Sequence, residues 1–296
     1  MEKTRIERIL CPVDFSESCI PAFVYASSLA CRFRAKLFVQ HVVELGGYPS
    51  ADFSPNADEY DKFLAVLLSQ NEARLHAFIQ RNRAYEVDLE CIVGKGMPAD
   101  SVLRFAKERA IDLIVIGTRR HGGIVRLMLG SVAEKVSRTA RCPVLVVPEL
   151  LPGYSTSEGS EKSIEVRQIV ACTDLTEVSN KVFDHGVSIA QDYDAGLTLL
   201  HVLKDIPPPG YVEDAAVAYR QLGELVSSQA KPSCKITAEV RCGKPYREID
   251  RFAHDSHADL VIMAVHGRNS VNDAVFGSTS YRVIRSAACP VLAVRG

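Results

Sequence analysis

The chain has 296 residues, 47% of them hydrophobic, and its 35 basic and 36 acidic side chains leave a net charge of −1. This composition excludes a disordered chain, and the charge balance argues against a general nucleic-acid binder, whose footprint is a basic excess. No apolar run approaches the ~18–20 residues that span a bilayer, and no signal peptide precedes the first strand pattern, so a cytoplasmic protein is expected, with two domains at roughly 100–200 residues each.

The first predicted strand, Ile9–Val13, ends at Asp14, with Ser16 two residues on. Further short runs rich in Val and Ile follow at Leu37–Val43, Val87–Val93, Leu113–Gly117 and Val144–Val147. Such nearly continuous apolar runs suit strands buried on both faces of a parallel sheet. Between them lie helix-length segments, one of which carries Val102, Phe105 and Ala106 at i, i+3, i+4. The fourth strand runs into Gly117-Thr118-Arg119-Arg120-His121-Gly122-Gly123, and Gly130-Ser131-Val132 then opens a helix.

The pattern then starts again. Ile9-Leu10-Cys11-Pro12-Val13-Asp14 returns as Ile169-Val170-Ala171-Cys172-Thr173-Asp174, and His41-Val42 as His201-Val202, at an offset of 160. Gly96-Met97-Pro98 returns as Gly243-Lys244-Pro245 at an offset of 147, which also relates Asp112 to Asp259, Gly130-Ser131 to Gly277-Ser278, and Cys142-Pro143-Val144-Leu145 to Cys289-Pro290-Val291-Leu292. Thus 13 extra residues lie between His41 and Gly96 in the first copy, and Ile249, Phe252 and Ala253 repeat the helical stripe in the second. Matching spacing over so many positions identifies a tandem duplication. The polar run around Pro152-Gly153 and Ser155–Ser160 reads as a linker, which gives domains at 1–150 and 164–296 joined by 151–163. Alternating strands and helices predict two doubly wound open parallel-sheet α/β domains, with ligands beyond the carboxyl ends of the strands.

Asp14 and Asp174 stand at the end of strand one, each followed by a hydroxyl, Ser16 or Thr176. A capping role is expected for the hydroxyls, while the aspartates fit either a cap or an acceptor for a ligand amino group. In the second copy the loop reads Ala264-Val265-His266-Gly267, with Gly277-Ser278-Thr279 at the next helix start. Glycines there let backbone N–H groups approach an anion, although ordinary turns use the same residues.

On these residues the chain resembles a tandem universal stress protein in both halves. The family motif G-x2-G-x9-G-[S/T] falls on Gly117, Arg120, Gly130 and Ser131, and again on Ala264, Gly267, Gly277 and Ser278, so each copy departs at a different glycine. The resemblance implies a Rossmann-like fold of the adenine nucleotide alpha hydrolase-like kind, with the two last strands pairing inside the chain as a pseudo-dimer. It also implies ATP or AMP at the strand ends, with Mg²⁺ as phosphate counterion, and a stress-response regulator rather than an enzyme, with at most slow ATP hydrolysis. The residues implied are Val13, Asp14, Val42, Gly117, Arg120, Gly130, Ser131 and Val132 in the first domain. In the second, slightly favoured because Ala264 is a smaller departure than Arg120, they are Thr173, Asp174, Val202, Ala264, His266, Gly267, Gly277, Ser278 and Thr279. A scaffold or signalling module of the same fold without nucleotide is the alternative. A protein partner and a further homodimer stay open; nucleic acid and membrane are not expected as partners.

Other motifs point elsewhere or nowhere. G-x4-G-K-[S/T] and G-x-S-x-G are absent. Nine cysteines without a C-x-x-C, including Cys11, Cys31, Cys91, Cys142, Cys172 and Cys289 in apolar stretches, read as small buried hydrophobes. His254 and His257 are expected on a solvated helix face rather than on a metal, and His41 and His201 as half-buried, satisfied side chains. Arg138 and Arg285 are expected near helix C-termini, where a cation offsets the dipole.

Overall fold

The computed structural model describes residues 6–47, 57–118, 129–149, 164–204, 212–228, 234–265 and 277–295. The chain divides into two compact units, composed chiefly of Arg5–Glu149 and Ile164–Gly296.

In the first unit the strands are β1 (Arg8–Pro12), β2 (Lys36–Val43), β3 (Leu89–Lys95), β4 (Leu113–Gly117) and β5 (Val144–Val147). Helices α1 (Ile20–Phe33), α2 (Ala57–Asn82), α3 (Pro98–Glu108) and α4 (Ser131–Thr139) connect them in turn. The strands are parallel in the order β3-β2-β1-β4-β5. The chain therefore works outward from β1 to β3 and returns to β4, and the order reverses between β1 and β4. The second unit repeats this with β6 (Gln168–Thr173), β7 (Gly196–Leu203), β8 (Ile236–Cys242), β9 (Leu260–Val265) and β10 (Val291–Arg295), and with α5 (Glu177–Tyr193), α6 (Val212–Ser228), α7 (Pro245–Asp255) and α8 (Ser278–Ser286). Its order is β8-β7-β6-β9-β10, again parallel.

The central strands are buried as their apolar runs require. Ile9, Leu10, Leu37 and Ile114 are fully buried in the first unit, and Ile169, Val261 and Ile262 in the second. Val102 and Ala106 are buried, while Phe105 meets the Phe38 ring edge-on at 5.5 Å. The third strand lies two residues further on than the Val87–Val93 expectation, because its ladder with β2 begins at Leu89 and runs on to Lys95 opposite Val43.

The duplication extends to the backbone. Phe15 and Leu175, 160 residues apart, both adopt positive φ (63° and 62°), as do the helix caps Arg34 and Asp194. Ala110 and His257, then Gly96 and Gly243, do so at the offset of 147. The Gly-x-Pro repeat follows from this. Gly96 and Gly243 supply φ of 108° and 143° that other residues rarely adopt, and proline then starts α3 and α7 within their first turn. A second repeated device joins the strand starts. Asp112 Oδ2 accepts from the N–H groups of Glu7 and Arg8, both at 2.9 Å, and Asp259 Oδ2 accepts from those of Arg167 and Gln168 at 2.7 and 2.9 Å.

Two expectations are corrected. His257 lies past the end of α7 at φ 51°, so it shares no helix face with His254. Among the cysteines, Cys11, Cys19, Cys172 and Cys289 are buried, but Cys31 and Cys242 are exposed: burial follows which side of its element a residue faces, not the apolarity of its neighbours in sequence. Burial pushes the Cys19 thiol up to about 11 and the Cys289 thiol up to about 12, away from thiolate chemistry. Arg138 and Arg285 occupy the last turns of α4 and α8 as expected. Among the described residues, no helix is long and apolar enough to cross a membrane.

Candidate functional site

Where the strand order of the first unit reverses, a cleft of about 550 Å³ opens over the ends of β1, β2 and β4. Val13, Asp14, Val42, Gly117, Ser131 and Val132, all expected from sequence, line it. Gly130 precedes Ser131 as the N-cap of α4, with φ −61°. Gly130 has no side chain with which to cap α4, and Ser131, Val132 and Ala133 line the cleft, so the first turn of this nine-residue helix brings backbone N–H donors to it. Arg120 lies outside the described residues.

The aspartates sit differently from the expectation. β1 ends at Pro12 and β6 at Thr173, so Asp14 and Asp174 follow their strands rather than closing them. Each is held in a tight local turn made possible by positive φ at Phe15 or Leu175. Asp14 Oδ1 accepts from the Ser16 N–H at 3.0 Å and from its hydroxyl at 2.5 Å. Asp174 Oδ1 accepts likewise from Thr176 at 3.2 and 2.6 Å. Ser16 and Thr176 are therefore not side-chain caps: their hydroxyls turn back to the aspartates, although both residues occupy N-cap positions. Bulky residues in left-handed backbone, at the same place in both copies, mark a conformation held by its surroundings.

Gly117 also has a different reason to be glycine. A Cβ there would lie 2.8 Å from the Ser18 carbonyl oxygen and 3.4 Å from Cys19 Cα, so its missing side chain is room for the turn Glu17–Cys19. The corresponding Ala264 keeps its methyl, and its carbonyl oxygen accepts from the Ser280 hydroxyl at 3.1 Å, which ties α8 to β9.

Sequence reasoning missed the wall built by α2. Leu67, Gln70, Asn71 and Arg74 line the cleft, and Arg74 Cζ lies 4.8 Å over the Phe15 ring. Phe15 in turn stacks on His41 at 4.1 Å, and His41 Nδ1 donates to the Val13 carbonyl oxygen at 2.9 Å. Burial holds the His41 pKa below its ordinary value, and the nearby Arg74 charge acts in the same direction. Residues of α2 fall in the stretch where the two offsets part, so the second copy offers them no counterpart to flag. Gln40, on β2, is a further cleft residue without a signal in the repeat.

In the second unit Thr173 ends β6 and Asp174 follows it, Val202 lies on β7, Ala264 on β9, and Gly277, Ser278 and Thr279 open α8. The Thr173 hydroxyl accepts from the Leu175 N–H at 3.0 Å, and His201 Nδ1 donates to the Thr173 carbonyl oxygen at 2.9 Å, as His41 does to Val13. His266 and Gly267 lie outside the described residues.

Two doubly wound α/β units of the same strand order, each with a Gly-Ser helix start and an aspartate turn after its first strand, define a tandem protein whose first repeat carries an open cleft at its strand ends. The model of the universal stress protein family matches residues 5–148 and 165–295, so the chain belongs to that family and carries its domain twice. It is 25% identical over 307 residues to a universal stress protein of Mycolicibacterium smegmatis, covering 97% of this chain and 96% of that one. A universal stress protein of Methanocaldococcus jannaschii is 30% identical over 141 residues, 48% of this chain and 81% of that protein. Among solved structures, a universal stress protein from Archaeoglobus fulgidus has a TM-score of 0.68 at 18% identity, covering 100% of this chain and 99% of that one; this likeness bears on the fold.

Proposed function

We propose that the protein binds an adenine nucleotide, ATP or AMP, at its strand ends, and that occupancy governs its associations as a stress-response regulator. The observation that carries this reading is the first domain's cleft, where apolar Val42, Val102 and Ile116 stand near the N-terminal donors of α4. Apolar walls suit a base, and free N–H groups at a helix start suit phosphate. Mg²⁺ would accompany ATP through the phosphates and water, not through a cage of protein ligands. The role is regulatory and not that of an enzyme: half-buried His41, stacked on Phe15 and with its pKa held down by desolvation, is a poor general base, so hydrolysis is at most slow.

Mass spectrometry of small molecules released on denaturation, with calorimetry against ATP, ADP and AMP, tests the reading. Absence of heat and of any thermal shift at millimolar nucleotide would replace it with the scaffold reading. One observation favours that second reading: Oδ1 of both Asp14 and Asp174 already accepts two hydrogen bonds from its own turn.

A further inference from the structure

We infer that Gln40 reads the base in the first domain, its carboxamide receiving the 6-amino group of a bound adenine; the inference rests on the nucleotide reading above. Side chains alternate along β2. Phe38 and Gln40 share the face on which Phe38 meets Phe105 of α3, and Val42 follows at the same period, while His41 turns to the opposite side against Phe15. Gln40 lines the cleft yet is only 2% exposed. Its backbone is satisfied, since its carbonyl oxygen accepts from the Val13 N–H at 2.8 Å.

The side chain is not satisfied. Nε2 donates to Ser101 Oγ over a long 3.4 Å, and Oε1 is buried with no partner among the described residues. Turning the amide over only changes which end lacks a partner, because Ser101 can serve one end at a time at that place. A buried amide left half-paired is unfavourable, and because Oε1 has no access to solvent in this conformation, a partner from outside the chain reaches it once the carboxamide turns toward the cleft.

The room for this amide is built into the sheet. On β3, a Cβ at Gly94 would come within 2.9 Å of Ser101 Oγ and 3.3 Å of Gln40 Nε2. At the offsets that relate the copies, the second domain replaces Gln40 by Leu200, Ser101 by Glu248 and Gly94 by Arg241. Leu200 is 1% exposed, so the same strand folds with a hydrocarbon at this depth. The amide is therefore not demanded by the fold. It lies near Val42 and Val102, the walls that suit a planar ring, and an amide carbonyl there accepts from an exocyclic amine. Asp14, with Oδ1 engaged by Ser16, then need not read the base in this domain.

The test compares ATP with purine riboside triphosphate, which lacks the 6-amino group, by calorimetry on the full chain. A Gly277→Val background restricts the reading to the first domain. The unchanged Gln40 protein should prefer ATP by about tenfold, the scale of one buried hydrogen bond. In Gln40→Leu and in the similarly long Gln40→Met, ATP should weaken by that factor and the preference should vanish, with the thermal transition retained. A folded variant that keeps both affinity and preference overturns the role of Gln40 while leaving nucleotide binding standing. If the parent protein takes up neither nucleotide, the inference and the nucleotide reading fall together.

Discussion

Replacing Gly117 by alanine tests what the motif's first glycine does. The added methyl carbon would sit 2.8 Å from the Ser18 carbonyl oxygen, 3.4 Å from Cys19 Cα and 3.6 Å from Ala22 Cβ. The nearest atom is backbone, so no rotamer change relieves the contact, and either β4 or the turn Glu17–Cys19 has to move. That turn resists, because the Cys19 N–H and Sγ both donate to the Ser16 carbonyl oxygen, at 3.2 and 3.1 Å, and the Ser16 hydroxyl is bonded to Asp14. Overpacking of this kind costs about 1–3 kcal/mol, and reduced unfolded-state entropy returns about 0.4–1 kcal/mol. A net loss near 1 kcal/mol lowers Tm by about 2–4 °C for a domain of this size. Calorimetric unfolding of the full chain should show the first domain's transition falling by that amount, and nucleotide affinity should fall with it as the Asp14 turn shifts. An unchanged transition with a large loss of affinity would refute this account. It would mean that the glycine exists for close approach of a ligand.

Asp112→Ala and Asp259→Ala each remove the acceptor of two largely exposed backbone donors at a strand start, which water can replace, and each should destabilise only its own domain by about 0.5–1.5 kcal/mol, read as separate shifts in chemical denaturation. Burial raises the Asp250 pKa, and although the Ser286 hydroxyl donates to Oδ2, Oδ1 is buried without a partner among the described residues. Because the folded state then favours the protonated acid, this group supports folding below its unfolded pKa and loses that support as pH rises through the raised one. Asp250→Asn should accordingly raise Tm at pH 7 and give no gain near pH 3; a loss at both pH values would contradict the sign. Gly277 has φ −55°, and among the described residues a Cβ there meets only Ser280 Oγ, at an ordinary 3.6 Å. Gly277→Val should thus cost about 1 kcal/mol or less while removing phosphate binding in the second domain, with Gly130→Val doing the same in the first. If Gly277→Val leaves overall affinity intact while Gly130→Val abolishes it, the slight preference for the second site is wrong.

The sequence made the repeat, the strands and the strand-end place of the first domain's cleft legible, because these rest on apolar period and spacing. Ile9, Leu113 and Val144 are buried because short apolar runs in a doubly wound sheet leave them no other place. The Gly-x-Pro turns were visible for the same local reason. The Asp14 turn was not: phenylalanine and leucine carry no propensity for left-handed backbone, and only tertiary packing holds Phe15 and Leu175 there. Nor could spacing show why Gly117 lacks a side chain, since the atoms that fill its place belong to a turn about a hundred residues earlier. Arg74 and Asn71 escaped because they lie in a helix of 26 residues whose counterpart has 17, and a repeat cannot flag what only one copy has.

The two copies share their turns and clamps and differ at several strand-end positions. Left-handed backbone at four paired positions, the aspartate clamps and the histidine bonds to the first strand's end are all duplicated. These features set strand starts, turns and helix ends, which any sequence adopting this sheet must satisfy. At the offsets that relate the copies, the differences include Gln40 against Leu200, Ser101 against Glu248, Gly117 against Ala264 and Ala133 against Ser280. In the first domain most of these residues line the cleft, and none of the exchanges alters strand order. A duplicated fold with unlike strand-end chemistry is what two sites of unequal ligand preference require. On the nucleotide reading proposed above, one nucleotide measured against the whole chain would report a sum of two unlike sites, and only variants confined to one domain would separate its parts.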